Sequence, residues 1–266
     1  MSRIASVFAA LKAQNRAALI TFVEAYDPDR ATSLSLLRGM AERGADIIEI
    51  GMPFTDPMAD GPTIQAAGRR GLEAGATMAG LLGLVREFRV TDSRTPIVVM
   101  GYLNPILSYG VARFCIDAAQ AGVDGLIVVD LPTEEADLLL PDAATNGLDV
   151  IRLVAPTTSD ERLPKVLNGS SGFVYYVSIT GITGTRTATA EDLARDIPRL
   201  RAATDLPIAV GFGVRTPEQA GVVAEHADGA IVASALIEKL VLAGALAVLD
   251  DVAALVQGVR SARKAS

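Results

Sequence analysis

Three carboxylates lie within one short segment of the sequence, and they are its best candidates for chemistry. Glu49 interrupts an apolar run, and Asp56 and Asp60 follow in a loop rich in turn-forming residues. An ionised glutamate in a buried strand is unfavourable unless it is paired or its pKa rises. We therefore predict a raised pKa and a role in general acid–base catalysis for Glu49. The alternatives are a structural ion pair for Glu49 and a helix-entry turn for Asp60.

The composition excludes several other kinds of site. The 266-residue chain has one histidine and one cysteine, so His-rich or Cys-rich metal sites and an internal disulfide are excluded. The lysines fall in helical patterns or in the tail, which argues against Schiff-base chemistry. A net charge of −7 argues against nucleic-acid binding. The chain shows no secretory signal and no apolar run of about 18 residues, so we expect a cytoplasmic protein that does not bind a membrane.

Short apolar segments alternate with amphipathic ones along the chain. Glu134–Thr145 is one of the amphipathic segments and is predicted to be a helix. This alternation predicts βαβ units and a parallel sheet. The eight strand candidates are 18–23, 46–50, 97–101, 125–129, 149–154, 173–177, 207–211 and 229–232. Eight units at this length favour a (β/α)8 TIM barrel over an open sheet. We expect a single domain over residues 1–266, with an extra N-terminal helix.

A barrel would bring the informative residues together, because sites in this fold lie at the carboxyl ends of the strands. Gly213 follows strand seven, and Ser234 follows strand eight at the start of a helix. Loops in these two positions commonly bind phosphate. The polar loop Ser178–Ala190 follows strand six and is expected to be a mobile lid, or else an ordinary solvated loop. Asp130, after strand four, is expected to begin a helix.

Longer blocks of sequence point to one family. Residues 49–65, which read Glu-Ile-Gly-Met-Pro-Phe-Thr-Asp-Pro-Met-Ala-Asp-Gly-Pro-Thr-Ile-Gln, closely resemble the signature of the tryptophan synthase alpha subunit family. Five further blocks resemble its other motifs in the same order: 100–106, 125–132, 154–158, 172–178 and 210–214. The resemblance spans nearly the whole chain. It implies a retro-aldol cleavage of indole-3-glycerol phosphate to indole and glyceraldehyde 3-phosphate.

The resemblance also implies roles for individual residues. The family's catalytic glutamate and aspartate fall on Glu49 and Asp60, and its phosphate contacts fall on Gly184, Gly213 and Ser234. Its pocket positions fall on Phe22, Met100, Tyr102, Ile127, Tyr175 and Phe212. In this chemistry Glu49 moves a proton, and Asp60, in a polar loop, stays ionised and accepts the indole N–H.

The family further implies a partner, a beta subunit that carries pyridoxal phosphate and uses the released indole, with no cofactor on this chain. The apolar, proline-bearing segments 52–54 and 102–108 are the expected contact surface, with ordinary packing at the barrel rim as the alternative. Three other functions stay open: another phosphate-sugar lyase or isomerase, a stand-alone indole-glycerol phosphate lyase, and a non-catalytic regulatory subunit.

One loop departs from the family pattern. Strand one runs into Glu24-Ala-Tyr-Asp-Pro, where Tyr26 replaces a residue that is usually glycine in the family. Glu24 is an additional carboxylate near the end of that strand, and the sequence gives it no role.

Overall fold

The computed structural model describes residues 2–178, 189–211 and 213–262. In this part of the chain, nine parallel strands form one sheet in the order β5-β4-β3-β2-β1-β9-β8-β7-β6. The strands are β1 Ala18–Glu24, β2 Ile47–Gly51, β3 Ile97–Gly101, β4 Gly125–Val128, β5 Asp149–Val150, β6 Arg152–Val154, β7 Val174–Val177, β8 Ile208–Gly211 and β9 Gly229–Val232.

The sheet closes into a barrel at Ile151. The predicted strand 149–154 is divided there: β5 pairs with β4, and β6 pairs with β7. Because only Ile151 separates β5 from β6, the two ends of the strand order are joined by the chain itself. The predicted eightfold barrel is therefore confirmed, with one of its strands split in two.

Helices pack around the strands and against one end of the barrel. They are α1 Arg3–Ala13, α2 Arg30–Glu42, α3 Pro62–Glu73, α4 Met78–Arg89, α5 Leu103–Tyr109, α6 Val111–Ala121, α7 Leu140–Thr145, α8 Leu163–Leu167, α9 Ala190–Arg201, α10 Pro217–His226 and α11 Ser234–Ser261. The helix predicted over Glu134–Thr145 is instead a 3-10 helix, Thr133–Leu138, followed by α7. Pro141 lacks the N–H that a continuous helix would need at that point.

Side chains from alternate positions of the strands point inward and fill the barrel interior. This cluster contains Ala18, Ile20, Ile47, Val98, Ile127, Ile151, Phe173, Tyr175, Ala209 and Ile231. Helix α1 buries Ile4, Phe8 and Leu11 in the same cluster, and the Phe8 and Phe173 ring centroids are 5.8 Å apart. The predicted N-terminal helix is thus confirmed. It packs near the start of β7, at the end of the barrel opposite the predicted site.

Helix α11 has 28 residues and, among the described residues, is the one helix long and apolar enough to cross a membrane by those two criteria. Its helical geometry is interrupted at Gly244, which has φ 80° and ψ 177°. The helix packs against β1, α2 and α10. Its buried residues are Leu236, Ile237, Leu240, Val248, Val252, Leu255, Val256 and Val259. These side chains cover the barrel, whereas Val241, Leu242 and Leu246 of the same helix are exposed.

Candidate active site

Glu49 lies inside the barrel, at the middle of β2. Its register partners are Phe22 on β1 and Val98 on β3. The side chain is fully buried, and neither carboxylate oxygen has a hydrogen-bond partner in the described part of the chain. Burial raises the pKa of Glu49 to about 8. The predicted pKa shift is confirmed, and no ion pair with an arginine described here explains the buried carboxylate.

Asp60 is held beside the barrel mouth by Tyr102. The Tyr102 hydroxyl accepts a hydrogen bond from the Ala59 N–H at 3.0 Å. A side-chain hydrogen bond from Tyr102 lowers the pKa of Asp60, but burial, the larger effect, raises it. Asp60 is therefore half-buried rather than in the ordinary polar loop that the sequence indicates. Helix α3 begins after Gly61 without a side-chain cap, so Asp60 does not cap that helix.

Apolar side chains surround Glu49 on neighbouring strands. Phe22 lies beside it on β1, and Met100 on β3 pairs in register with Ile127 on β4. Tyr175 is buried on β7, and burial together with the charge of Glu49 raises the pKa of its hydroxyl. The predicted pocket residues on these strands thus line the same interior.

Two predicted pocket residues differ from this pattern. Tyr102 lies at the rim rather than in the interior cluster, and its ring packs 5.5 Å from that of Phe54, centroid to centroid. Phe212 lies outside the described residues.

The predicted phosphate residues Gly213 and Ser234 follow adjacent strands, because β8 pairs with β9. Gly213 has φ 84°, in the left-handed region that favours glycine. Ser234 is the first residue of α11, whose N-terminus has no side-chain cap. An uncapped N-terminus of a long helix is suited to an anion. Gly184 and most of the predicted lid Ser178–Ala190 lie outside the described residues.

Tyr26 has φ 64°, in the left-handed region that favours glycine. Its side chain is buried against α4. A Cβ atom built on Gly80 of that helix would lie 2.5 Å from the Tyr26 hydroxyl and 3.2 Å from Cζ. The absence of a side chain at Gly80 therefore makes room for Tyr26.

Asp130 does not begin its own helix, contrary to the expectation from sequence. Its carboxylate accepts a hydrogen bond of 2.8 Å from the Leu103 N–H at the start of α5. The next helical turn instead begins after Pro132. Asp130 thus fixes the segment that follows Tyr102, and this role depends on the pairing of β3 with β4.

One cluster at the mouth has no signal in the sequence. Glu238 on α11 forms an ion pair with Arg215, which follows Gly213. Thr63 on α3 donates a 3.2 Å hydrogen bond to the same carboxylate. Glu238 therefore links the predicted phosphate loops to the helix that follows Asp60. These residues lie far apart in the sequence, so no local pattern could indicate the contact.

The fold and the site together define a class of protein, an enzyme of the TIM-barrel type. A closed parallel barrel carries a buried glutamate, a half-buried aspartate and, after its last strand, an uncapped helix N-terminus. Among the described residues, no group of three or more His, Cys, Asp or Glu side chains could hold a metal ion.

Comparison with known proteins gives the family. Residues 8–264 match the family model for the tryptophan synthase alpha chain. The tryptophan synthase alpha chain of Acidiphilium cryptum is 71% identical, and the match covers 100% of this chain and 100% of that one. The alpha chain of Granulibacter bethesdensis is 65% identical, and the match covers 99% of this chain and 98% of that one. The crystal structure of the alpha subunit from Legionella pneumophila str. Paris has a TM-score of 0.92 at 39% identity, covering 98% of this chain and 99% of that one.

The chain belongs to the tryptophan synthase alpha chain family. It is thus a lyase of tryptophan biosynthesis on a TIM barrel, as the resemblance implied.

Proposed function

We propose that Glu49 and Asp60 together carry out the alpha-subunit reaction, the cleavage of indole-3-glycerol phosphate to indole and glyceraldehyde 3-phosphate. The observation that carries this proposal is the buried Glu49 carboxylate, without a hydrogen-bond partner among the described residues. Its pKa of about 8 means that Glu49 holds a proton at neutral pH and can both give and regain it.

Glu49 acts twice in the reaction. It first gives its proton to C3 of the indole ring, which places positive charge on the ring nitrogen. The resulting carboxylate then takes the proton from the hydroxyl on the adjacent side-chain carbon. The O–H electron pair forms the aldehyde carbonyl, the carbon–carbon bond to C3 breaks, and its electron pair returns to the ring. Indole and glyceraldehyde 3-phosphate leave, and Glu49 is protonated again.

Asp60 stabilises the positive charge that develops on the indole nitrogen. Its carboxylate accepts the indole N–H, an interaction that strengthens as the ring becomes cationic. The hydrogen bond from Tyr102 favours the ionised form of Asp60 that this role needs, because it lowers the pKa that burial raises.

The two ends of the substrate bind to different parts of the mouth. The apolar side chains of Phe22, Met100, Ile127 and Tyr175 hold the indole ring. Phe212, a further pocket residue that the family resemblance implies, lies outside the described residues. The phosphate binds at Gly213 and Ser234. Gly184, the third contact that the family resemblance implies, lies outside the described residues. The left-handed backbone of Gly213 and the uncapped N-terminus of α11 support this assignment.

The product indole passes to a beta subunit that carries pyridoxal phosphate, and this chain binds no cofactor of its own. Segments 52–54 and 102–108 form the contact surface. Leu107 in the second segment is 49% exposed, and Met58, four residues beyond the first segment, is 83% exposed. The complex is cytoplasmic and binds neither nucleic acid nor membranes.

The test is indole release by the purified chain from indole-3-glycerol phosphate, with and without a cognate beta subunit. We expect a slow basal rate that the partner increases. Glu49→Gln keeps the shape of the side chain and should lose at least ~10²-fold in turnover while still binding glyceraldehyde 3-phosphate. Near wild-type turnover in this variant would remove Glu49 from the mechanism.

The same assay separates the alternatives. A fast rate that no beta subunit increases would identify a stand-alone lyase. No release of indole under either condition, with binding to the beta subunit retained, would identify a regulatory subunit. Cleavage of a different sugar phosphate alone would identify another lyase of this fold.

A further inference from the structure

Glu24 is a carboxylate at the barrel mouth that the proposed reaction does not use. It is the last residue of β1 and pairs in register with Gly51, the last residue of β2. Its side chain points to the same face of β1 as those of Ile20 and Phe22, which are in the interior clusters. The residue is only 4% exposed.

The Glu24 side chain packs between β2 and α3. A Cβ atom built on Gly51 would lie 2.7 Å from Glu24 Cδ and 2.7 Å from Phe22 Cζ. A Cβ atom built on Gly68 of α3 would lie 3.9 Å from Glu24 Oε1. Gly51 therefore leaves the space that the carboxyl group occupies, two positions along β2 from Glu49.

No cation described here compensates a charge on Glu24. Arg70 on α3 is bound to Asp27 through two hydrogen bonds of 2.6 and 2.8 Å. No described residue forms a hydrogen bond to the Glu24 carboxylate. Burial, and then the charges of Asp60 and Asp27, raise the pKa of Glu24 well above its usual range. A further acid close along β2 is Glu49, and Ile237 of α11 lies in the apolar cluster with Phe22.

We propose that Glu24 is a positioning residue for the reaction, which stays uncharged beside Gly51 and leaves Asp60 as the negative charge that faces the indole nitrogen. The proposal rests on the role proposed above for Asp60. Two ionised carboxylates in one half-buried site repel each other, so ionisation of Glu24 would displace one of them. Its neutral carboxyl keeps the packing at the end of β1 and does not disturb Asp60.

Two substitutions test whether the neutral form is the working one. Glu24→Ala leaves a void beside Gly51 and should lower kcat for indole formation on the order of tenfold, with a smaller change in KM. Glu24→Gln has the same shape and no charge, so it should recover most of the loss at neutral pH. If Glu24→Gln were as impaired as Glu24→Ala, the carboxyl group itself would be required and the proposal would be wrong.

The pH dependence supplies a readout that packing alone would not change. The ratio of Glu24→Gln to wild-type turnover should rise as pH rises, because only the wild type develops a second anion at the mouth. Glu49 titrates in both proteins, so its contribution cancels from the ratio. A ratio that stays flat up to pH 9.5 would overturn the proposal.

A third measurement needs no turnover. The Glu24 carboxyl carbon, followed by NMR in the full chain, should titrate above the usual glutamate range. Asp60→Asn should lower its midpoint by removing a nearby charge, whereas Asp56→Asn, a change at an exposed acid in the same loop, should not. An ordinary Glu24 midpoint, or equal shifts in the two variants, would contradict the proposal. If the wild type released no indole, the proposed function would fail, and this titration would still report the charge state of Glu24.

Discussion

The hydroxyl of Tyr102 accepts a hydrogen bond of 3.0 Å from the backbone N–H of Ala59. This contact joins the end of β3 to the loop that precedes α3 and places the same hydroxyl beside the Asp60 carboxylate. One side chain therefore sets both the position of Asp60 and the ease with which it ionises.

Tyr102→Phe should reduce turnover about tenfold at neutral pH, the effect of one lost hydrogen bond to a charged group. Loss of the Tyr102 hydrogen bond should raise the pKa of Asp60, so the acidic limb of the kcat profile should move to higher pH. Tyr109→Phe is the control, since that hydroxyl donates to Asp117 on α6. If the acidic limb of the kcat profile stayed in place in Tyr102→Phe, Tyr102 would not influence the ionisation of Asp60.

Glu49→Gln should make the protein more stable at neutral and alkaline pH. In the unfolded chain Glu49 loses its proton near its usual pKa of 4.5, whereas the folded protein holds it to about 8. Wild-type stability is therefore fully present below pH 4.5 and falls as pH rises towards 8. The shift in the pKa of Glu49 from 4.5 to about 8 corresponds to on the order of 4–5 kcal/mol of unfolding free energy. The wild type loses this stability as pH rises, whereas the Glu49→Gln variant does not, because glutamine has no proton to lose.

Urea unfolding at pH 5, 7 and 9 measures this difference. The stability advantage of Glu49→Gln should grow across the series, while the exposed control Glu42→Gln should follow the wild type. A constant difference between Glu49→Gln and wild type would mean that Glu49 is not buried in its neutral form.

Gly213→Val should weaken binding of glyceraldehyde 3-phosphate by about tenfold or more, equivalent to ~1.4 kcal/mol. The new side chain would occupy space at the proposed phosphate site. Gly75→Val is a matched control, since Gly75 has a similar φ of 85° with no atom near its Cβ position. Both variants should bind indole like the wild type, as judged by calorimetry. Equal loss of phosphate ligand in both would indicate backbone strain rather than a lost contact.

Gly80→Ala should destabilise the protein by ~1–3 kcal/mol through overlap with the buried Tyr26 ring, although alanine favours helices. Gly83→Ala lies in the same helix with no atom within 4 Å of its Cβ position and should stabilise by roughly 0.5–1 kcal/mol. Thermal unfolding of the two variants measures the contrast. Equal stabilisation would show that the Tyr26 ring does not need the space at Gly80.

Leu107→Asp should weaken association with a cognate beta subunit on the order of tenfold, because it places a charge in the proposed contact surface. Leu242→Asp is the control, since Leu242 is 84% exposed on α11, a different part of the chain. Titration of each variant with the beta subunit, following both binding and indole release, gives the result. Equal weakening in both would place the contact surface elsewhere.

The sequence by itself determined the barrel, the family and the carboxylate most suited to acid–base chemistry. Strand and helix periodicity are local properties, so seven of the eight strand candidates correspond to single strands, and Glu49 could be recognised by its apolar neighbours alone. The raised pKa of Glu49 followed from the same neighbours. The departure at Tyr26 was also visible, but its consequence was not.

Only the tertiary structure decided what each group near the mouth contacts. The split at Ile151 requires the barrel to be closed. The contact of Tyr102 with Asp60 and the cap that Asp130 gives to α5 require neighbouring strands to be paired. Residues more than 20 positions apart meet there because their strands are adjacent, and the side-chain contacts between adjacent strands are not encoded in any local pattern. The electrostatic setting of Glu24 and Asp60 is therefore a property of the closed barrel, whereas the burial of Glu49 is already implied by its own strand.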